Sequence, residues 1–563
     1  MADNSLLNQN LLSLRTRHPD LAQHLSHTQP CENLSVMKSR KGPPIPVLKR
    51  AGRVFPMHSR IDPVAEGRRI AQGAPEGYLV AFGLGAAYHL NPLVDSDTLT
   101  GLLIVESSDA IVRGLMEFID LRNLFSDSRV ILLVNPSPEL LVKTVLNRYL
   151  PVLYGNLGSI TLRSRWDANP EWFSPRARAM QGLPEALGKD YTVQTRFGRR
   201  WFVHTLANLE RSERVGAVIP PSQRILITAA GPSLEDQLPK LRKMQADGAT
   251  LLATDTALPM LASSGIIPDI VLSIDCQAIS YHHFLRGLPQ KTALILDLAS
   301  PPVLTRMTDN ILFIASGHPF SLYLNRFYRP FPILDLSGGH VTYAAVSLAR
   351  ATGAQQVYLF GADFSYPSGQ PYAKNTYLYP YFQSKSTRLN GSENSFYSFI
   401  WKSRPRRERK PDGWLWRTSS MDHYRESLEQ AVSMMECDCH PIAGRGIPIR
   451  FADKASAHSE NEHKEVLTML STGAISKKWP DFLEDYQLRI SQLPPLNGPP
   501  QDYLEYLDTE NRQAWATLLP TAATFRNESP NGPAAVEKSR RWTLARIQTL
   551  LKRYHGDSQI IDP

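Results

Sequence analysis

The sequence is short of cysteine, of long apolar runs and of any strong charge bias, and each shortage excludes a class of protein. Four cysteines in 563 residues (Cys31, Cys276, Cys437 and Cys439) are too few for a disulfide scaffold. Cys437-Asp-Cys439 lies beside His440 but has no second ligand pair nearby, so ordinary thiols are expected there and no metal site. The longest weakly polar stretch, Gly77 to Leu90, is shorter than the roughly 20 residues that cross a bilayer, so no membrane span is expected. Met1-Ala-Asp-Asn-Ser5 is not a basic region leading into an apolar core; we therefore expect no secretion signal and a cytoplasmic location. The net charge of +9, from 62 basic and 53 acidic residues, suits an anionic ligand without implying a nucleic-acid partner. An apolar fraction of 42% with 20% charged residues excludes a disordered chain, and the length implies two to four domains.

What is present is the cadence of βαβ units, heard twice. Residues 1 to about 50 are polar, with one short helix expected around Leu6 to Leu14 and an end at Pro43, Pro44 and Pro46. Pro63 is placed for the first turn of a helix capped by Asp62. Tyr78 to Gly83, Leu102 to Glu106 and Val130 to Val134 read as buried strands of a Rossmann-like domain. Its first turn carries Gly83 and Gly85, and Glu106 follows at the distance of a ribose-binding acid, but Tyr88 replaces the third glycine. A structural or acceptor-handling role is therefore expected there rather than a working nucleotide site. Trp166, Trp172 and Trp201 are expected to pack rather than to bind sugar, since no polar constellation accompanies them.

The second series begins at Arg224 and ends its strands in small or acidic residues: Ala230, Asp255, Asp275, Asp297, Gly361. Gly231-Pro-Ser233 and Ser337-Gly-Gly339 are strand-to-helix turns, and a ligand is expected in the crevice at the carboxyl ends of the strands. Beyond Pro367 the chain turns aromatic, which reads as a lid or acceptor-binding flap. The basic run Lys402 to Lys410 reads as a solvated linker, or alternatively as an electrostatic guide for an anionic donor or acidic partner. Ser420 to Gln430 is expected to be helical, and Ile447 to Phe451 to close the sheet edge. Helical segments at His463 to Leu470, Asp481 to Leu493 and Trp542 to Tyr554, with a Pro494 to Pro500 linker, suggest a helical tail. The fold class expected is α/β and multidomain: a Rossmann-like domain with its polar leader over 1–205, a parallel α/β domain over 206–455 and a helical domain over 456–563.

Taken together, these motifs resemble the motility accessory factor family of flagellin glycosyltransferases, including its spirochaete-like branch. The resemblance rests on His58-Ser-Arg-Ile-Asp-Pro63 with Glu66, and on Phe82 to His89 with Glu106. It continues in Gly231-Pro-Ser-Leu234, Gly265-Ile-Ile-Pro-Asp269, Asp275, Ser337-Gly-Gly339 and Gly361-Ala-Asp-Phe364. The central domain of that family is similar to bacterial sialyltransferases that use CMP-activated sugars. The resemblance implies a CMP-sugar donor, a Ser or Thr of flagellin as acceptor, and donor-binding residues Gly231, Pro232, Ser233, Asp255, Asp275, Ser337, Gly338, Gly339, Tyr366 and Tyr372. No cofactor beyond the donor is required by it.

The chemistry agrees. The CMP leaving group gathers charge on phosphate oxygens, which amides at Gly231 to Ser233, the Ser233 hydroxyl and tyrosine hydroxyls are suited to meet. The acceptor hydroxyl needs a base, for which His423, His340 and the carboxylate Asp363 are candidates; an exposed or capping histidine is the structural alternative for each. The sialyltransferases carry asparagines where this chain has Asp255 and Asp275, so these carboxylates either grip ribose or base hydrogens or hold Mg²⁺ beside a diphosphate. A pterin diphosphokinase family shares the Gly-Pro-Ser-Leu turn and the strand-end aspartates, which makes Mg·ATP chemistry the alternative. A non-catalytic flagellin-binding role is the third reading.

Overall fold

A computed structural model describes residues 5–410, 413–433, 437–451, 477–496 and 500–558. The chain divides into two compact units, one of residues 1–198 with 492–543, the other of 199–491 with 544–563. The segment read as one helical tail is thus shared between them, and the expected helix at His463 to Leu470 lies outside the described residues. Among the described residues no helix is long and apolar enough to cross a membrane.

The first unit holds a four-stranded parallel sheet in the order Val130–Val134, Leu99–Glu106, Gly77–Phe82, Leu157–Thr161. Continuous apolar runs fit strands covered on both faces, and all of Gly77–Phe82 is buried. The edge strand Leu157–Thr161 escapes the sequence reading because glycine, serine and threonine break its apolar run. Helix Pro63–Gln72 starts as expected, with the Asp62 side chain accepting from the Ala65 amide at 2.9 Å.

The polar leader is more ordered than its composition suggests. Helices Leu6–Arg15 and Pro19–His27 precede an antiparallel sheet of Leu34–Lys38, Pro44–Arg50 and Arg53–Pro56. Pro44 and Pro46 therefore lie inside a strand instead of ending the region. They are tolerated because the third strand pairs only from Val47 onward, leaving the proline side of that strand an edge.

The second unit is built on a seven-stranded parallel sheet in the order Ile311–Ile314, Ala293–Asp297, Ile270–Ser273, Thr250–Thr254, Arg224–Thr228, Gln356–Phe360, Asp438–Pro441. Strand order reverses beside Arg224–Thr228, which places the switch-point crevice between the loops after Thr228 and Phe360. The edge is closed by Asp438–Pro441 and not, as the sequence suggested, by Ile447–Phe451. Pro448 has no N–H for a ladder, and its segment instead runs across the first turn of the sheet, where the Ile447 amide donates to the Asp363 carbonyl at 2.9 Å.

The aromatic stretch is structured. Helices Leu378–Gln383 and Ser392–Trp401 pack Tyr379 and Phe382 against Phe396, with ring centroids 4.8 and 4.9 Å apart. The basic run is no linker: Arg406–Lys410 is an exposed strand paired with Gly413–Arg417, which pairs in turn with Tyr366–Pro367. Stacking shapes this hairpin, with the Arg407 guanidinium 3.2 Å from the Trp414 ring centroid.

Candidate functional site

The switch point is a joint that the chain fills with its own groups. After strand Arg224–Thr228 the chain turns at Gly231-Pro-Ser233 into helix Leu234–Ala246, whose N-terminal amides attract an anion. That anion is Asp363. Its carboxylate accepts from the Ser233 amide at 2.9 Å and from the Ser233 hydroxyl. The Gly231 amide donates to the Gly361 carbonyl at 2.8 Å, and Pro232 has none to offer. From the far side the Arg445 amide donates to Ser233 Oγ at 2.6 Å, while its guanidinium meets the Pro232 carbonyl and Asp236.

Glycine is required on every side of this joint. A Cβ on Gly231 would lie 2.4 Å from both Asp363 Oδ2 and the Gly361 carbonyl, and one on Gly444 would lie 2.3 Å from Ser233 Oγ. The Gly444-Arg-Gly446 segment escaped the sequence reading; its paired glycines were the available signal. Burial, partly offset by Ser233 and Arg445, pushes the Asp363 carboxyl above its ordinary range. The donors of the turn expected to receive a phosphate are therefore already engaged within the chain.

A polar cluster lies along the adjoining strand ends, where a doubly wound sheet has its crevice. Asp255 follows strand Thr250–Thr254 and is buried; one oxygen accepts from the Thr256 amide at 2.7 Å, the other from the Ser273 hydroxyl at 2.7 Å. Asp275 follows strand Ile270–Ser273 and accepts from the Gln277 amide at 2.9 Å and its side chain at 3.1 Å. Burial, with the negative charge of Asp255, raises the Asp275 carboxyl above its ordinary range. The short turn Ala278–Phe284 packs against the Asp255–Ala257 turn and brings His283 to the pair.

The flap forms the other wall. Its Ala373 amide donates to the Ala230 carbonyl at 2.8 Å and its Lys374 amide to Glu235 at 2.8 Å, which straps the segment over the sheet edge. Tyr377 stands edge-on to His283 at 4.5 Å and Tyr372 packs on Tyr377 at 6.4 Å. Burial and the two aspartates push the Tyr377 hydroxyl up to about 12 and Tyr372 higher still, so both remain hydrogen-bond donors at neutral pH. Tyr366, buried in its short strand, shares this neighbourhood through Tyr372. Phe364, Ser368 and Asn375 all carry positive φ (43°, 51° and 67°), a concentration of backbone strain that functional loops favour. His283 and Tyr377 were absent from the expected site; the His282-His283 pair following Asp275 was the legible clue.

Of the remaining expected residues, Ser337 to Gly339 and His340 make local structural contacts and His423 lies on the surface. Ser337-Gly-Gly339 closes a turn in which the Ser337 amide donates to Asp335 at 2.9 Å, and Gly339 takes a φ of 72°. A Cβ on Gly338 would strike the Tyr343 ring at 2.1 Å. His340 caps helix Val341–Ala351: Nδ1 accepts from the Tyr343 amide at 3.3 Å and Nε2 faces the Tyr424 carbonyl at 3.2 Å. His423 is exposed on helix Ser419–Ser433. As for Mg²⁺, both carboxylates are already engaged within the chain. Among the described residues no three His, Cys, Asp or Glu side chains converge as ligands.

One further carboxylate stands on the same edge. Asp297 ends strand Ala293–Asp297, is fully enclosed, and accepts from the Ala299 amide at 2.7 Å. Burial pushes its carboxyl up to about 6, from an ordinary 3.8. The fold thus prefers the protonated form, and the associated stability is complete below about pH 4 and lost as pH rises through about 6. Asp297→Asn, which cannot ionise, should therefore be more stable than the parent at pH 8 by roughly 2–3 kcal/mol, a margin that closes below about pH 4. Urea midpoints at the two pH values test this; an equal difference at both would refute it.

The N-terminal glycine turn is likewise self-filled. Glu106 is buried and accepts from the amides of Leu84 and Ser107 at 3.1 and 2.6 Å, and it pairs with buried Arg165 at 2.6 Å. A Cβ on Gly85 would meet His58 Nε2 at 2.7 Å. Trp166 and Trp201 pack against Phe173 and His318, as expected of structural tryptophans.

The fold as a whole is similar to that of a solved structure. That structure, the MAf glycosyltransferase from Magnetospirillum magneticum AMB-1, superposes with a TM-score of 0.54 at 15% identity, covering 98% of this chain and 96% of the other. Residues 201–369 match the family model described as 6-hydroxymethylpterin diphosphokinase MptE-like. The fold is thus the one expected from the motility accessory factor resemblance, with an MptE-like central domain. Three uncharacterized proteins of Treponema pallidum (strain Nichols) are also similar: 31% identical over 152 residues, 33% over 137 and 24% over 226. These matches cover 26%, 24% and 39% of this chain, and 54%, 64% and 50% of the relatives' own lengths.

Proposed function

We propose that the protein is a cytoplasmic glycosyltransferase that moves a nonulosonic acid of pseudaminic or legionaminic type from its CMP form to a Ser or Thr of flagellin, serving flagellar assembly and motility. The observation that carries this reading is the crevice itself: Asp255 and Asp275 at adjoining strand ends, faced by Tyr372 and Tyr377, in a chain with a glycosyltransferase fold. The carboxylates suit ribose hydroxyls or the exocyclic amine of a base, both hydrogen-bond donors. The phenols are suited to the charge that grows on the departing phosphate. Since Asp363 occupies the Gly231 to Ser233 turn, that charge falls to the tyrosines rather than to the turn's amides. Substitution at the anomeric carbon inverts its configuration on this reading.

Incubating the protein with flagellin and a CMP-nonulosonic acid should add the sugar's mass to a flagellin peptide. Asp255→Asn should lower the rate by about 100-fold or more while the variant stays folded. An unchanged flagellin mass, or a folded Asp255→Asn variant at full rate, would refute the assignment.

The match of residues 201–369 supports a second reading, an MptE-like diphosphokinase using Mg·ATP. CMP raising the melting temperature while ATP with Mg²⁺ does not would favour the first; the reverse would favour the second. The structured aromatic flap beside the crevice supports a macromolecular acceptor.

A further inference from the structure

We propose, resting on the transferase reading above, that His283 is the base that takes the proton of the acceptor hydroxyl. His340 and His423 are less suited to that role. His340 spends its Nδ1 lone pair on the Tyr343 amide and turns Nε2 to the Tyr424 carbonyl; His423 is exposed on a helix. His283 differs on both counts. It is 6% exposed, and its Nδ1 has no hydrogen-bond partner among the described residues.

The surroundings suit a group that is neutral at rest and cationic in the transition state. Burial disfavours the imidazolium, with the like charge of His282 adding to it, while Asp255 and Asp275 favour it. The flap contributes Tyr377, edge-on to His283, and Tyr381, which packs on His282 at 5.4 Å. A neutral ring, which holds one proton and one lone pair, can accept a second proton as charge develops, the charges of Asp255 and Asp275 steadying the cation. In the step, the acceptor oxygen bonds to the anomeric carbon as the bond from that carbon to the phosphate oxygen breaks. The bonding pair leaves with CMP, the hydroxyl proton passes to His283, and His283 later returns it to water.

The test uses the full-length chain with the CMP-sugar and flagellin. His283→Gln should keep its melting temperature and its stabilisation by CMP, yet lose about 10²–10⁴-fold in kcat, and the acidic limb of the kcat–pH profile should disappear. His283→Ala should regain rate on adding imidazole, which a structural role would not allow. Should His283→Gln fail to fold, Asp275→Asn in its place should move the acidic limb of the remaining activity to lower pH. A His283→Gln rate within about threefold of the parent, with the limb retained, would overturn the proposal alone. A parent protein that neither binds CMP nor transfers would overturn the transferase reading and this proposal with it.

Discussion

Glu106→Gln is expected to destabilise the N-terminal unit by about 3–5 kcal/mol, the cost of stranding one member of a buried ion pair. Arg165 is 1% exposed and Glu106 is fully buried, so water cannot replace the lost partner. Burial alone would raise the Glu106 carboxyl; the Arg165 charge and the amides of Ser107 and Leu84 outweigh it and hold the carboxyl below its ordinary range. A depressed carboxyl stabilises the fold above its unfolded pKa and loses that contribution as pH falls through the folded one. Acid should therefore erode the difference between parent and variant. The direct readout is hydrogen exchange at the Leu84 and Ser107 amides, whose protection should fall in the variant. Glu106→Gln combined with Arg165→Met should recover much of the loss, because removing both charges leaves neither unpaired. Unaltered protection in the single variant would show that the pair does not hold the turn.

Asp363→Ala should cost roughly 2–5 kcal/mol and, on the proposed transferase reading, abolish transfer, since two donors of Ser233 and a helix N-terminus lose their acceptor together. Ser233 is 1% exposed, so its amide and its hydroxyl proton would be left buried without an acceptor, although Oγ would still accept from the Arg445 amide. Asp363→Asn keeps an acceptor for the amide but loses the charge and the second acceptor oxygen; its loss should be smaller than that of Asp363→Ala. The same joint sets the order for glycine changes: Gly444→Ala, whose Cβ would press on Ser233 Oγ at 2.3 Å, should damage stability more than Gly216→Ala, whose Cβ has open space. Chemical unfolding followed at the second unit measures all of these. A neutral Asp363→Ala would mean that the joint is not the keystone of the crevice.

Much of this molecule is local in origin and so can be read from the chain alone. The buried runs Tyr78 to Phe82 and Ile225 to Thr228 become parallel strands because apolar residues without alternation need cover on both faces. The Asp62 cap and the position of Asp255 and Asp275 at strand ends follow from the same local rules. Tertiary structure decided the rest, because the deciding partners lie far apart in sequence. Ser233 meets Asp363 130 residues later and Arg445 212 residues later, so a turn with the chemistry of a phosphate site is filled by the chain's own carboxylate. His283 is marked in sequence only by the His282-His283 pair, and it becomes a candidate base where its turn packs beside Asp255 and the flap sets Tyr377 edge-on to it. Residue order alone determined the buried parallel strands with continuous apolar runs and the groups that end them; close packing in three dimensions decided the edge strands and which of those groups remain free to meet a substrate.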